Sequence, residues 1–243
     1  MSGDLARREE VGEVVAQLAT PDLDRRERAR LLARLTGLLA AGLRTAGSRA
    51  AVSGKWLAVL VTDYAPHVPV RDLLTLREHH GGRSGDELAE ALIASAARAT
   101  ATVGAAGGAL SSIDLIAPPV LLTAPVQLVA ETLAVVAIEL KLVAELHVAY
   151  GRSPQGTRSQ VATAYLTSWG GKRGIELGGG LLMPSVLGSA ARQQLRNRLM
   201  RRLGRNVTTL TPFLAGAVAG AELNRRETRK LGAALVKDLR TRR

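Results

Sequence analysis

Acidic and basic side chains within one long apolar segment are the first candidates for chemistry. The helix predicted there carries five ionisable residues among Leu, Val and Ala: Glu131, Glu139, Lys141, Glu145 and His147. Carboxylates in apolar surroundings gain proton affinity and can bind metal or relay protons. Their spacing opposes that use, because Glu131 and Glu145 are about four turns apart and no Glu-x-x-His pair of the di-iron type occurs. We therefore expect solvated edges of an amphipathic helix, with Lys141 and Glu145 as an i,i+4 pair.

A histidine pair and the acids that follow it could be drawn as a metal cluster: His79, His80, Asp86 and Glu87. A histidine pair directly before Gly-Gly is more typical of a solvated helix end. The sequence contains neither a Gly-x-Ser-x-Gly elbow nor a His-Glu-x-x-His pair. It also lacks cysteine, which excludes a thiol nucleophile, a disulfide framework and a cysteine zinc site. We therefore predict no catalytic residue, no bound metal and no cofactor.

The glycine-rich run at 170–173 superficially suggests a nucleotide phosphate loop. Leu166 stands where that loop needs its first glycine, and Arg173 follows Lys172 where Ser or Thr is required. The sequence therefore predicts no nucleotide site in this run. A turn-rich connector with a helix over 161–169 is expected instead.

Positive charge is concentrated towards the end of the sequence. Residues 1–149 hold 15 basic and 17 acidic side chains, whereas residues 150–243 hold 18 and four, so the two parts carry −2 and +14 of the net +12. Such asymmetry indicates an anionic partner, which could be phospholipid, nucleic acid or an acidic protein.

The basic region contains a duplicated unit that joins uncharged residues to arginine-rich ones. Nine identities appear when residues 182–204 are aligned with residues 210–232, a spacing of 28. Each copy has proline at its predicted first helical position, followed by small uncharged residues and then by cations. This order predicts two helices, each with a first half that avoids water and a second half that is solvated. In the second helix the cations fall opposite Leu231, Leu235 and Leu239, as in a basic amphipathic helix. The cations predicted to bind an anionic surface are Arg192, Arg196, Arg198, Arg201, Arg202, Arg205, Arg225, Arg226, Arg229, Lys230, Lys237 and Arg240.

An almost uncharged segment lies at residues 100–130. Its one charge, Asp114, divides it into uncharged runs of 14 and 16 residues, and Pro118, Pro119 and Pro125 interrupt the second run. A spanning helix needs roughly 20 apolar residues. The runs therefore favour buried core helices, re-entrant hairpins or interfacial segments over a transmembrane helix.

Composition and periodicity predict an all-α fold. Apolar residues make up 47% of the chain and aromatic residues 2%, so the core must consist of Leu, Val and Ala, which favours packed helices. Helices are expected over these ranges: 7–18, 21–44, 55–64, 70–80, 86–100 and 126–150. We predict a multi-helix bundle with apolar helical hairpins, divided into an N-terminal helical region, 1–83, and a helical core with the basic helices, 84–243.

Several of these features together resemble the EcsC-like proteins. They are the charge-capped helix start at 84–87, the glycines of 104–108, Asp114 before an apolar helix that ends at Tyr150-Gly151, and the two Pro-x-x-x-Gly units. The likeness covers residues 81–232. It implies a mainly helical, membrane-associated bacterial protein, and the family offers no settled activity or catalytic residues to transfer. Two prolines follow Asp114 here, where the family has an aspartate closer to a single proline.

The sequence therefore predicts a non-enzymatic protein that docks on anionic lipid through its apolar segments and basic helices. The expected place is the cytoplasmic face of the cell membrane, since residues 1–17 are charged and lack the apolar core of a secretory signal. Each cation near an anionic surface contributes roughly 1 kcal/mol. The expected partner is anionic membrane lipid, with a membrane protein or an acidic protein as a second option. The alternative is a soluble helical adaptor that binds an acidic protein or nucleic acid; sequence-specific nucleic-acid binding is not expected, because stacking aromatics and known motifs are missing.

Overall fold

The described part of the chain is entirely helical apart from its turns and connections. The structure, a computed structural model, describes residues 2–20, 22–46, 54–114, 124–173 and 213–241. These residues form a short 3₁₀ helix, Ala65–His67, and the α-helices α1 (Ser2–Leu18), α2 (Arg25–Ala46), α3 (Gly54–Tyr64), α4 (Leu73–His79), α5 (Gly85–Asp114), α6 (Ala124–Ala149), α7 (Arg158–Lys172) and α8 (Phe213–Thr241). The predicted all-α bundle is confirmed.

Helix α6 is the centre of the bundle, because each of the other seven described α-helices contacts it. Between residues 126 and 146 every residue except Glu131 is buried. A helix that is apolar on all sides needs such an enclosed position. The end predicted at Gly151 is confirmed: its φ is +64°, a left-handed conformation that favours glycine, and the Arg152 N–H donates to the His147 carbonyl at 2.7 Å.

Helix α5 is longer than the sequence predicted and continues through the glycines after residue 100. These small residues let α5 lie close against α8, which runs antiparallel to it. At one end of the pair Arg240 contacts Asp86, and near the middle the hydroxyls of Thr100 and Thr228 lie 2.9 Å apart. Close packing on α8 at Gly104 accompanies the continuation of α5 past residue 100, where the sequence predicted its end.

The connection between α1 and α2 depends on a buried arginine. Arg28 is fully buried and donates to the carbonyls of Leu18 at 2.8 Å and Thr20 at 2.9 Å, so it satisfies acceptors at the end of α1. Burial lowers its pKa to about 10. Helix α2 begins later than predicted, because the Asp24 carboxylate accepts from the Glu27 N–H at 2.7 Å and caps the helix there.

The two predicted regions contribute to one hydrophobic core. Val14 and Leu32 from the first region and Leu88 and Leu142 from the second belong to the same buried cluster. The division at residue 83 stays a prediction about folding units. The hairpin predicted around Pro118 and the first copy of the repeat lie outside the described residues.

Candidate functional site

Helix α8 carries the half of the predicted basic surface that the structure describes. Its cations point away from the core: Arg226, Arg229, Lys230, Lys237 and Arg240 are exposed, and Arg225 is half-buried. On the opposite side, Leu231, Leu235 and Leu239 are each at most 5% exposed. Helix α8 is therefore amphipathic as predicted, with its apolar side in the core and its basic side outward.

The other six predicted cations belong to the first copy of the repeat. They lie outside the described residues: Arg192, Arg196, Arg198, Arg201, Arg202 and Arg205.

The outward side of α8 also exposes apolar side chains before the cations begin. Val218 is 69% exposed and Leu223 is 46% exposed. At 100° per residue these two and the exposed cations fall within about 140° of one another around the helix axis. We refer to this surface as the outward face of α8, and it consists of Val218, Leu223, Arg226, Arg229, Lys230, Lys237 and Arg240.

Acidic neighbours neutralise part of this positive charge. Glu222 accepts from Arg225 at 2.7 Å and from Arg226 at 2.5 Å, and these hydrogen bonds lower the pKa of Glu222 to about 2. Glu227 accepts from Lys230 at 3.0 Å.

Charge pairing is uneven along the rest of α8. The Arg240 side chain lies 2.8 Å from the Asp86 carboxylate. Arg229 and Lys237 make no ion pair with any residue that the structure describes. The outward face therefore keeps cations that can meet an external anion.

Glu139 occupies a fully enclosed position, so its prediction as a solvated edge is wrong. It is 1% exposed and accepts from the Trp169 indole N–H at 2.9 Å and from the Thr228 hydroxyl at 2.9 Å. The Arg173 guanidinium donates to both Glu139 oxygens and also contacts Glu227 at 3.2 Å. One carboxylate thus joins α6 to both α7 and α8.

Glu145 forms a second buried cluster on the same helix. It is 2% exposed and accepts from Arg71 Nε at 2.8 Å and Nη2 at 3.0 Å. The predicted Lys141–Glu145 pair is present at 2.8 Å, but it is buried rather than solvated. Lys141 also donates to the Pro69 carbonyl at 2.5 Å. Desolvation lowers the pKa of Lys141, whereas the hydrogen bonds to Glu145 raise the pKa of Arg71.

Neither buried cluster has the geometry of a reaction centre. The oxygens of Glu139 already accept four donors, which leaves little capacity for a metal or a moving proton. The cavity beside Arg71, Lys141 and Glu145 measures about 10 Å³, room for about one water. Both clusters instead join neighbouring helices to α6.

The part of the chain that the structure describes contains neither a metal cluster nor a membrane-spanning helix. No group of three or more His, Cys, Asp or Glu side chains there could hold a metal ion, and His79 is exposed at the end of α4. No helix formed by those residues combines the length and the apolar character needed to cross a membrane. Within the uncharged segment, burial is described for residues 100–106 and 126–130, and these residues pack mainly within the protein rather than form an exposed lipid-facing surface.

The sequence interpretation missed the partners that make both clusters possible. Arg71 and Arg173 are distant in sequence from the carboxylates that they contact, and their own segments are polar and turn-rich. The sequence did contain one indication of such partners. The charged residues of α6 lie in a helix that is too apolar to have a solvated side. Such residues require buried partners.

The fold and the outward face together define an all-α protein with an enclosed central helix and a basic surface helix. The chain matches no protein-family model, and neither a curated protein nor a solved structure is significantly similar to it.

Proposed function

We propose that the protein is a non-enzymatic, membrane-associated helical protein that docks on anionic lipid through the outward face of α8. The observation that carries the proposal is the continuity of this face: exposed Val218 and Leu223 stand next to exposed cations on one side of one helix. Peripheral helices bind membranes through this combination, in which apolar side chains enter the interface while cations contact anionic headgroups.

The cations on this face are long and accessible. The side chains of Arg226 and Lys230 are 69% and 74% exposed, so both can reach headgroups without a change in the fold. Cations near an anionic surface contribute roughly 1 kcal/mol each. The ion pairs with Glu222 and Glu227 reduce the total attraction to the membrane surface. Because the remaining attraction is electrostatic and the cations are exposed, we expect binding to require anionic lipid and to weaken as salt is added.

The buried side of α8 limits how the protein can dock. Leu231, Leu235 and Leu239 are part of the core, so only Val218 and Leu223 are available to the lipid interface among the larger apolar side chains described on this helix. We therefore propose docking as a folded module rather than insertion of the whole apolar side of the helix. The EcsC-like resemblance belongs to this proposal, as does a location on the cytoplasmic face of the membrane.

Flotation with anionic liposomes tests the proposal. The triple variant Arg226→Gln, Arg229→Gln, Lys230→Gln should lose most of its binding at low salt. A matched control carries Arg25→Gln, Arg26→Gln and Arg30→Gln, three exposed arginines on α2, and removes the same net charge elsewhere. The control should bind nearly as well as the unmodified protein; equal losses in both variants would mean that total charge, and not this face, causes binding.

A second candidate is a soluble adaptor that binds an acidic protein or nucleic acid. The burial of the apolar side of α8 favours it, because a solvated basic face needs no lipid. The paired change Val218→Ser, Leu223→Ser separates the two candidates. Lipid docking predicts weaker liposome binding with unchanged binding to a soluble polyanion such as heparin, whereas the adaptor predicts polyanion binding without flotation.

A further inference from the structure

A groove between α5 and α8 lies at the end of the bundle where Asp86 meets Arg240. Its volume is about 330 Å³, which is within the size range of small-ligand sites. Its apolar lining comes from Ala89, Ile93, Ala233 and Val236, and its ionisable lining comes from Asp86, Glu90, Lys237 and Arg240. Thr241 completes the described lining.

Two of the four ionisable lining residues, Asp86 and Arg240, already pair with each other. The Arg240 guanidinium lies 2.8 Å from Asp86, which also accepts from the Tyr150 hydroxyl at 2.5 Å. Glu90 and Lys237 are exposed and make no ion pair with any residue in the described ranges. The groove therefore offers one carboxylate from α5 and one ammonium from α8 beside an apolar surface.

This arrangement complements a zwitterion with an apolar attachment. Glu90 suits a ligand ammonium and Lys237 suits a ligand phosphate, because charge-assisted hydrogen bonds are the stronger ones. None of the nine described lining residues is aromatic, whereas the quaternary ammonium of choline is typically recognised by aromatic rings. The apolar lining can contact the glycerol ester region of a lipid, which a free headgroup does not have.

We propose that this groove binds the headgroup of an ethanolamine phospholipid. This inference rests on the proposed membrane docking and deepens it. The outward face of α8 supplies attraction to anionic lipid in general, and the groove adds preference for a primary ammonium phosphodiester.

The test compares two vesicle compositions with the same fraction of phosphatidylglycerol. In one the remaining lipid is phosphatidylcholine, and in the other part of it is replaced by phosphatidylethanolamine, so the net surface charge does not change. The full-length protein should bind the ethanolamine vesicles about fivefold more tightly, which corresponds to about 1 kcal/mol. Equal affinity for the two compositions would overturn the proposal.

Two groove variants and one control show where the preference arises. Lys237→Gln and Glu90→Gln should each abolish the difference between the compositions, although they change the net charge in opposite directions. Arg229→Gln, outside the groove lining, should weaken binding to both compositions and keep their ratio. A preference that survives in both groove variants would come from the looser packing of ethanolamine bilayers and would also contradict the proposal.

Monomeric dihexanoyl phosphatidylethanolamine separates this inference from membrane docking. The lipid is titrated below its micelle concentration, and the NMR shifts of α5 and α8 amides should reach saturation. Dihexanoyl phosphatidylcholine should bind at least about fivefold more weakly, a difference of about 1 kcal/mol in binding free energy. Saturation without flotation of the protein would keep the groove and reject membrane docking. Flotation without any short-chain preference would keep docking and reject the groove.

Discussion

Gly104 and Gly220 stand in an asymmetric contact where α5 packs on α8. A Cβ on Gly104 would lie 2.8 Å from the carbonyl carbon and oxygen of Gly220, whereas a Cβ on Gly220 would lie 3.6 Å from the Gly104 carbonyl oxygen. The first distance forces a backbone to move, and the second is an ordinary contact. The position of α8 against α5 therefore depends more on the missing side chain at Gly104 than on the missing side chain at Gly220.

Substitution of these glycines should show the same asymmetry. Gly104→Ala is expected to lower the free energy of unfolding by about 1–3 kcal/mol, the usual effect of overpacking. Gly220→Ala should be neutral or stabilise by up to about 1 kcal/mol, because alanine favours helix. Denaturant unfolding measures both, and Gly37→Ala on α2, with open space around it, is the control for helix propensity alone. Equal losses at Gly104 and Gly220 would contradict the described packing.

The contrast between Gly104 and Glu139 shows what the sequence could and could not predict. Helix type, the stop at Gly151 and the sidedness of α8 follow from local periodicity and turn chemistry, and they were predicted. Glycines at 104–108 and carboxylates in α6 depend on which helix lies opposite, so local pattern alone misplaced the end of α5 and the exposure of Glu139. The groove at Glu90 and Lys237 needs the α5–α8 register, which single-sequence periodicity does not contain.

The Glu139–Arg173 pair should be strongly coupled. Glu139→Gln removes the buried partner of the Arg173 guanidinium and leaves it the more exposed Glu227 carboxylate at 3.2 Å, so the loss should lie towards the lower end of the about 3–5 kcal/mol that is typical of a broken buried ion pair. The double change Glu139→Gln, Arg173→Gln should lower the free energy of unfolding by less than the sum of the single changes. As a comparison, Arg34→Gln breaks the exposed Arg34–Glu10 pair of 2.7 Å and should cost at most about 1 kcal/mol. Strict additivity at Glu139 and Arg173 would refute the coupling.

Removal of Lys141 should be better tolerated than removal of its partner Glu145. Lys141→Met leaves the Arg71–Glu145 pair closed and neutral, whereas Glu145→Gln leaves two cations facing a neutral amide in a buried site. Chemical denaturation should therefore rank Glu145→Gln as the more destabilising change. The reverse order would show that Lys141, and not Glu145, holds this cluster together.

The Lys141 site also predicts a direction of pH dependence. Burial lowers its pKa from 10.5, so between the lowered pKa and 10.5 the unfolded chain holds a proton that the folded chain has released. Stability contributed by this site therefore rises with pH through that window. The difference in free energy of unfolding between the unmodified protein and Lys141→Met, followed from neutral to alkaline pH, should shift in favour of the unmodified protein; a shift in the other direction would be incompatible with a desolvated ammonium.

Glu222 should lower the affinity of the protein for anionic surfaces. Glu222→Gln releases Arg225 and Arg226 from their shared carboxylate, so affinity for anionic vesicles should rise, and it should rise more than in Glu9→Gln, which removes one exposed acid on α1. The hydrogen bonds from Arg225 and Arg226 hold the pKa of Glu222 at about 2, below its ordinary 4.5. The stability due to these bonds is therefore complete above 4.5 and is lost as the pH falls towards about 2, which urea unfolding of the two forms would detect. If Glu222→Gln and Glu9→Gln strengthened vesicle binding equally, release of the two arginines would have no part in it.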